Sequence, residues 1–204
     1  MKYYIFDFDG VVGDTYSSAV ETNMGFYKID EEQSNKVTKD FFNKPRVNSS
    51  SDQGIFNKSV KNLEDYNELY IRTILKNKAT IFKDLIEILD VIDAKYAIVS
   101  SGHKGYISPM LENCKVVFDP VLDVNDDRSK LKKIKKVCEF WDIDIAQIKF
   151  FTDTTSDIIE LENYIPNQMY GCTWGYHKKE KLKSVLNENF LLDKFEDGTS
   201  PNLV

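Results

Sequence analysis

Short apolar runs rich in β-branched and aromatic residues recur at Tyr3 to Phe8, Tyr96 to Val99, Lys115 to Phe118, Lys149 to Thr152 and Met169 to Trp174. Each predicts a buried strand. Between them the apolar positions take helical spacing, as in Ile81, Leu85, Ile88 and Leu89, or Leu131, Ile134, Cys138 and Trp141. Strands alternating with helices predict a parallel sheet covered on both faces, a doubly wound α/β architecture.

One interval departs from the alternation. From about Tyr16 to Ala79 no strand pattern occurs, and helix-compatible sequence runs through Ser18 to Ile29, Glu31 to Phe42 and Leu63 to Lys76. A helical insertion over 16–79 is therefore expected, leaving 1–15 and 80–204 as the α/β core. Inside it, Asn43-Lys44-Pro45-Arg46 and Asn48-Ser49-Ser50-Ser51-Asp52 read as loops. The stretch containing Gly198, Pro201 and Asn202 reads as a loose tail.

Composition narrows the function classes. The 204 residues carry a formal net charge of −6, which disfavours sequence-independent binding to nucleic acid or anionic membrane. No apolar run approaches the length of a membrane span. The opening Met1-Lys2-Tyr3-Tyr4-Ile5-Phe6-Asp7 meets an acid where a signal segment would stay apolar, so a cytoplasmic protein is expected. Cys114, Cys138 and Cys172 are odd in number and widely spaced, which suggests neither a disulfide framework nor a zinc site. In Lys130 to Lys136 the apolar residues fall on one helical face and most lysines on the other, so the run is expected to be solvated.

The candidate chemistry lies at strand ends. Tyr3-Tyr4-Ile5-Phe6 runs into Asp7-Phe8-Asp9-Gly10, so two carboxylates with period-2 spacing point to one side, and Gly10 permits a sharp turn. That end of a parallel sheet is where ligands bind. A lone pair of acids would more often simply close a strand at the surface. Ser100-Ser101-Gly102 follows the Tyr96–Val99 strand and precedes a helix, where hydroxyl and backbone N–H groups suit an anion, although an ordinary helix cap has the same appearance. Asp153 ends the Lys149–Thr152 strand, and Asp157 stands one helical turn on; acids complementing a helix N-terminus would look alike. Lys130, at the head of the preceding helix, is unremarkable alone. The four sites together, each at a strand end or helix head, are hard to explain as coincidence.

The segment Asp7-Phe8-Asp9-Gly10-Val11-Val12-Gly13-Asp14-Thr15 resembles the first motif of the haloacid dehalogenase hydrolases. Ser100 resembles their second motif, Lys130 the third, and Thr152-Asp153-Thr154-Thr155-Ser156-Asp157 the acidic fourth. The resemblance covers nearly the whole chain. It implies a Rossmann-like core with a small helical cap after the first strand, as in phosphoglycolate phosphatases and β-phosphoglucomutases; Thr173-Trp174-Gly175-Tyr176-His177 is similar to a stretch of the former. It also implies roles. Asp7 is the nucleophile and Asp9 the general acid and base. Ser100, Ser101 and Lys130 bind phosphate, while Asp7, the backbone carbonyl of Asp9, and Asp153 hold Mg2+. Asp157 orients the metal shell or holds Lys130. The expected partner is a small phosphorylated metabolite, with Arg46 a candidate cap contact. Thr152 departs from the glycine usual before the metal aspartate, and Leu131 from the proline frequent after the lysine. A sugar phosphomutase, or a binding protein that has lost turnover, are the alternatives.

Overall fold

The computed structural model describes residues 1–43 and 63–193. Arg46, the loop residues on either side of it and the tail beyond Asp193 lie outside that range. Six parallel strands form one sheet in the order β3-β2-β1-β4-β5-β6, with β1 at Lys2–Phe6, β2 at Ala94–Val99, β3 at Phe118–Leu122, β4 at Ile148–Thr152, β5 at Met169–Cys172 and β6 at Leu191–Leu192. The order reverses direction between β1 and β4, and the carboxyl ends of strands at such a switch point are where ligands bind in open α/β sheets. Asp7 follows β1 there and Asp153 follows β4.

Period 2 splits the central strands between two cores. Tyr4 and Phe6, Tyr96 and Ile98, and Phe151 pack on one face with α4 (Lys83–Asp90) and α5 (Lys104–Leu111). Ile5, Ala97, Val99 and Phe150 pack on the other with α6 (Lys130–Trp141) and α7 (Thr155–Leu161). Burial on both faces explains why these strands read as continuous apolar runs.

Among the described residues, three helices, α1 (Tyr16–Tyr27), α2 (Glu31–Phe41) and α3 (Leu63–Asn77), intervene between β1 and α4. A capping box starts α2, with Asp30 accepting from the Gln33 N–H and the Gln33 side chain accepting from the Asp30 N–H. The chain leaves and rejoins the sheet region at one seam. Gly13 bridges Ile81, the Asp14 N–H donates to the Thr80 carbonyl at 2.8 Å, and the Phe82 N–H to Val12 at 2.9 Å.

Some elements differ from the sequence expectation. The third strand lies at Phe118–Leu122 instead of Lys115–Phe118. It forms the sheet edge, where Pro120 is tolerated because one side needs no ladder donor. Strand β6 has two residues, too few for a periodic signal. The Lys130–Lys136 run is not simply solvated: Lys130 and Lys133 are fully buried.

Candidate active site

The site begins where β1 ends. The Asp7 N–H still pairs with the Phe151 carbonyl at 2.8 Å, so the first carboxylate sits on the rigid sheet margin. Its Oδ1 accepts from the Phe8 N–H at 2.7 Å and from the Lys130 ammonium at 2.7 Å. Lys130 reaches this point from the first turn of α6, whose N-cap Ser129 accepts from the Lys132 N–H. The same ammonium contacts Asp157 at 3.0 Å and donates to the Val99 carbonyl at 2.9 Å. All three of its hydrogens are thereby engaged, as a fully buried ammonium requires.

Thr152, where glycine is usual in the resembling family, has a definite job. Its hydroxyl donates to Asp157 at 3.0 Å and accepts from the Thr154 N–H at 3.2 Å. Asp157 is thus held between Lys130 and Thr152, on the first turn of α7. Asp153 stands beside it and is fully buried. One Asp153 oxygen, Oδ2, accepts from the Tyr176 N–H at 2.6 Å, while Oδ1 has no hydrogen-bond partner. Gly10 makes room for this carboxylate. It has φ +76°, and a Cβ there would stand 2.1 Å from Asp153 Oδ2.

Two carboxylates, Asp7 and Asp157, therefore share one ammonium, with Asp153 buried beside them. Burial pushes Asp7 up to about 7, with Lys130 opposing that shift and the charges of Asp157 and Asp9 adding to it. Burial, with the Asp7 charge, drives Asp153 well above the usual carboxylate range. Burial also acts upward on Asp157, but its contacts with Lys130 outweigh it and hold that carboxyl below its usual value. Lys130 is correspondingly raised, its two carboxylate partners overcoming its own desolvation. Lys130 thus serves two carboxylates at once, while Asp153 has no described ammonium contact.

That imbalance tests the fit to a divalent cation. Among the described residues no three or more His, Cys, Asp or Glu side chains gather in a group that could by itself hold a metal ion. A hard cation that retains several waters needs fewer protein oxygens. Asp7, Asp153 with its unpartnered Oδ1, and a backbone carbonyl of the intervening turn are chemically suited to one.

Asp9 has different company. Its Oδ2 accepts from the Tyr106 hydroxyl at 2.5 Å, and its Oδ1 from Thr15 at 2.7 Å and from Tyr70 at 3.3 Å. The Tyr176 hydroxyl lies 3.1 Å from that of Thr15 and 3.4 Å from that of Tyr70. Burial raises the Asp9 carboxyl, and these hydroxyls only partly oppose it.

Ser100 is fully buried at the end of β2, and its hydroxyl accepts from the Gly102 N–H at 2.8 Å. It is not the helix cap: that is His103, whose Nδ1 accepts from Gly105. Lys133, one turn beyond Lys130, donates to the Ser100 carbonyl and, at 3.3 Å, to that of Asp123. Ser101 is partly exposed beside Ser100, with no described contact to the carboxylates.

Asp7, Lys130, Asp157 and Asp153 thus come together as the sequence suggested, with Asp9 on the other side of the turn. Ser100 stands at the next strand end. Lys133, Tyr70 and Tyr106 were missed, because a buried lysine and two buried tyrosines look like ordinary helical positions. Thr15 and Tyr176 lie within segments that resemble the family, where the sequence assigns neither a distinct role. His177 was also missed: its Nδ1 accepts from the Thr155 N–H at 3.0 Å and its Nε2 lies 3.0 Å from the Lys39 carbonyl at the end of α2. Since an N–H only donates and a carbonyl only accepts, the ring is neutral with its hydrogen on Nε2. The Phe42 carbonyl accepts from the Ser156 N–H at 3.0 Å and from the Thr155 hydroxyl at 3.2 Å, completing the contact between α2 and α7.

A family model described as haloacid dehalogenase-like hydrolase matches residues 4–163. No curated protein matches the sequence. Among solved structures, the chain is similar to a predicted phosphatase from Clostridium acetobutylicum, at 18% identity and TM-score 0.72, over 96% of this chain and 95% of that one. It is similar to a predicted phosphoglycolate phosphatase from Haemophilus somnus, at 17% identity and TM-score 0.72, over 97% of this chain and 96% of that one. A haloacid dehalogenase-like family protein from Streptococcus pneumoniae follows at 16% identity and TM-score 0.69, covering 96% and 95%. At such identities the likeness concerns the fold.

Proposed function

The chain belongs to the haloacid dehalogenase-like hydrolase family, and on that premise we propose that it is a magnesium-dependent phosphatase acting on a small phosphate monoester, with Asp7 as the nucleophile. The observation that carries the proposal is the buried Asp7–Lys130 contact of 2.7 Å beside Asp153, whose Oδ1 lacks a partner. The solved phosphatases of similar fold, including one described as a predicted phosphoglycolate phosphatase, support the substrate class.

Asp7 attacks phosphorus, and its new P–O bond forms as the ester P–O bond breaks. The leaving alcohol oxygen takes a proton from Asp9. Water then attacks the aspartyl-phosphate, giving a proton back to Asp9 and releasing phosphate and free Asp7. A raised Asp9 suits both halves of this exchange, because it must hold a proton in the first and accept one in the second. Lys130 stabilises negative charge on the phosphoryl oxygens. Ser100, Ser101 and the backbone N–H groups near them bind those oxygens from the β2 side, with Lys133 fixing the Ser100 carbonyl. Asp157 keeps Lys130 in place. Asp7, the Asp9 carbonyl and Asp153 would hold Mg2+, which supplies further positive charge toward the phosphoryl group. The helical insertion acts as a cap that shields the site from water.

A magnesium-dependent assay on para-nitrophenyl phosphate and a panel of phosphorylated metabolites, including phosphoglycolate and sugar phosphates, tests the reading. Activity is expected in the unmodified protein and absent from Asp7→Asn. Equal activity in the two proteins would overturn it.

A further inference from the structure

The hydroxyls around Asp9 form an arrangement that core packing does not require. A buried tyrosine needs one acceptor, and backbone carbonyls serve well: the Tyr96 hydroxyl, elsewhere in this chain, donates to Leu89 at 2.7 Å and Ile92 at 2.8 Å. Tyr70 and Tyr106 instead both aim at a side-chain carboxyl, and they arrive from different places. Tyr106 lies on core helix α5 and is fully buried. Tyr70 lies on α3, inside the insertion.

The surroundings are shaped to admit this. A Cβ on Gly102 would stand 1.8 Å from the Tyr106 hydroxyl and 2.6 Å from Asp9 Oδ2, so the glycine's backbone lies against the hydrogen bond itself. The Tyr70 and Tyr106 rings meet edge-on with centroids 5.4 Å apart. Asp9 Oδ1, Thr15, Tyr176 and Tyr70 close a ring of hydrogen bonds. Thr15 and Tyr70 spend their hydrogens on Asp9, so Tyr176 must be the donor to one of them. Among the described residues, every side chain that donates to the Asp9 carboxyl does so through a hydroxyl.

We propose that Tyr70 and Tyr106 are positioning residues for Asp9, Tyr106 fixing the carboxyl from the core and Tyr70 adding its contact from the cap. The proposal rests on the phosphatase reading, in which Asp9 must face the departing oxygen. A carboxyl free to turn about its side-chain bonds spends less time in line with that oxygen, and alignment of this kind carries much of a catalyst's advantage. Neutral donors orient the group without placing a second fixed cation beside the phosphoryl site that Lys130 serves. Because Tyr70 belongs to the insertion, Asp9 is held jointly from the core and from α3.

The test varies the leaving group. Phenyl phosphate releases a poorly acidic phenol that needs protonation, whereas para-nitrophenyl phosphate releases one that departs with little help. If the tyrosines position the acid, Tyr106→Phe and Tyr70→Phe lower kcat/KM for phenyl phosphate by roughly tenfold or more, and for para-nitrophenyl phosphate by about threefold or less. Tyr106→Phe shows the larger split. A purely structural role depresses both substrates equally, and equal losses, or none, overturn the proposal. Should Tyr106→Phe fail to fold, Tyr70→Phe carries the same comparison. If the unmodified protein hydrolyses neither ester with magnesium present, the phosphatase reading fails first and this one with it.

Discussion

Asp7 and Asp9 are separated by one residue, yet they belong to different electrostatic regimes. On the floor, Asp7 and Asp157 contact the Lys130 ammonium and Asp153 is buried beside them, on or next to strands β1 and β4. On the roof side, among the described side chains, Asp9 accepts hydrogen bonds only from hydroxyls, on α3, on α5 and in the loop before α1. The floor is built from charge that must be balanced, so its residues are fixed by the cost of leaving an ion buried and alone. The roof is built from neutral donors that each contribute modestly, one of them from α3. Charge balance and neutral hydrogen bonding are thereby assigned to separate scaffolds.

If this contrast holds, substitutions on the floor have the larger consequences. Asp7→Asn is expected to lower phosphatase kcat by on the order of a thousandfold or more, since a nucleophile has no substitute. Lys130→Met leaves Asp7 and Asp157 facing each other without their cation and should cost about 3–5 kcal/mol of stability, read from urea unfolding.

Magnesium should stabilise the protein by about 2–3 kcal/mol when present at a hundredfold excess over its dissociation constant, read as a rise in Tm. The effect has a pH sign. Asp7 lies at about 7 in the folded chain against an ordinary 3.8, so without metal the folded state retains a proton that the unfolded state gives up. Metal-free stability therefore falls as pH rises through that window, and magnesium should raise Tm more at about pH 7.5 than at about pH 5.5. An equal rise at both values would argue against a site that includes Asp7.

The smallest effect belongs to the contact between α2 and α7. Replacing His177 with Phe strands the Thr155 N–H and the Lys39 carbonyl, for an expected loss of about 1–3 kcal/mol in stability.

The floor was legible in the sequence and the roof was not. Asp7, Asp153 and Lys130 each follow a strand or open a helix, so position along the chain nearly fixes position in space. Asp157 follows from Asp153 by one helical turn. Tyr70 and Tyr106 carry no such signal, because the contact that gives them meaning joins residues 61 and 97 positions from Asp9. Lys133 misled for the same reason: helical periodicity identifies a face, but not whether two carbonyls wait beneath it. Thr152, read as a departure, supports Asp157 instead. The shift of β3 reflects an edge position, where Pro120 no longer forbids a strand. Arg46 lies outside the described residues and keeps its standing as a candidate.

The seam at Gly13 and Ile81 has an architectural consequence. Because Asp14 and Thr80 are hydrogen-bonded neighbours, more than sixty residues of chain span almost no distance between their ends. To the sheet, that whole stretch is equivalent to a short turn. It can be lengthened, shortened or exchanged without rethreading a single strand, so that segment can vary while the residues at the strand ends keep their places.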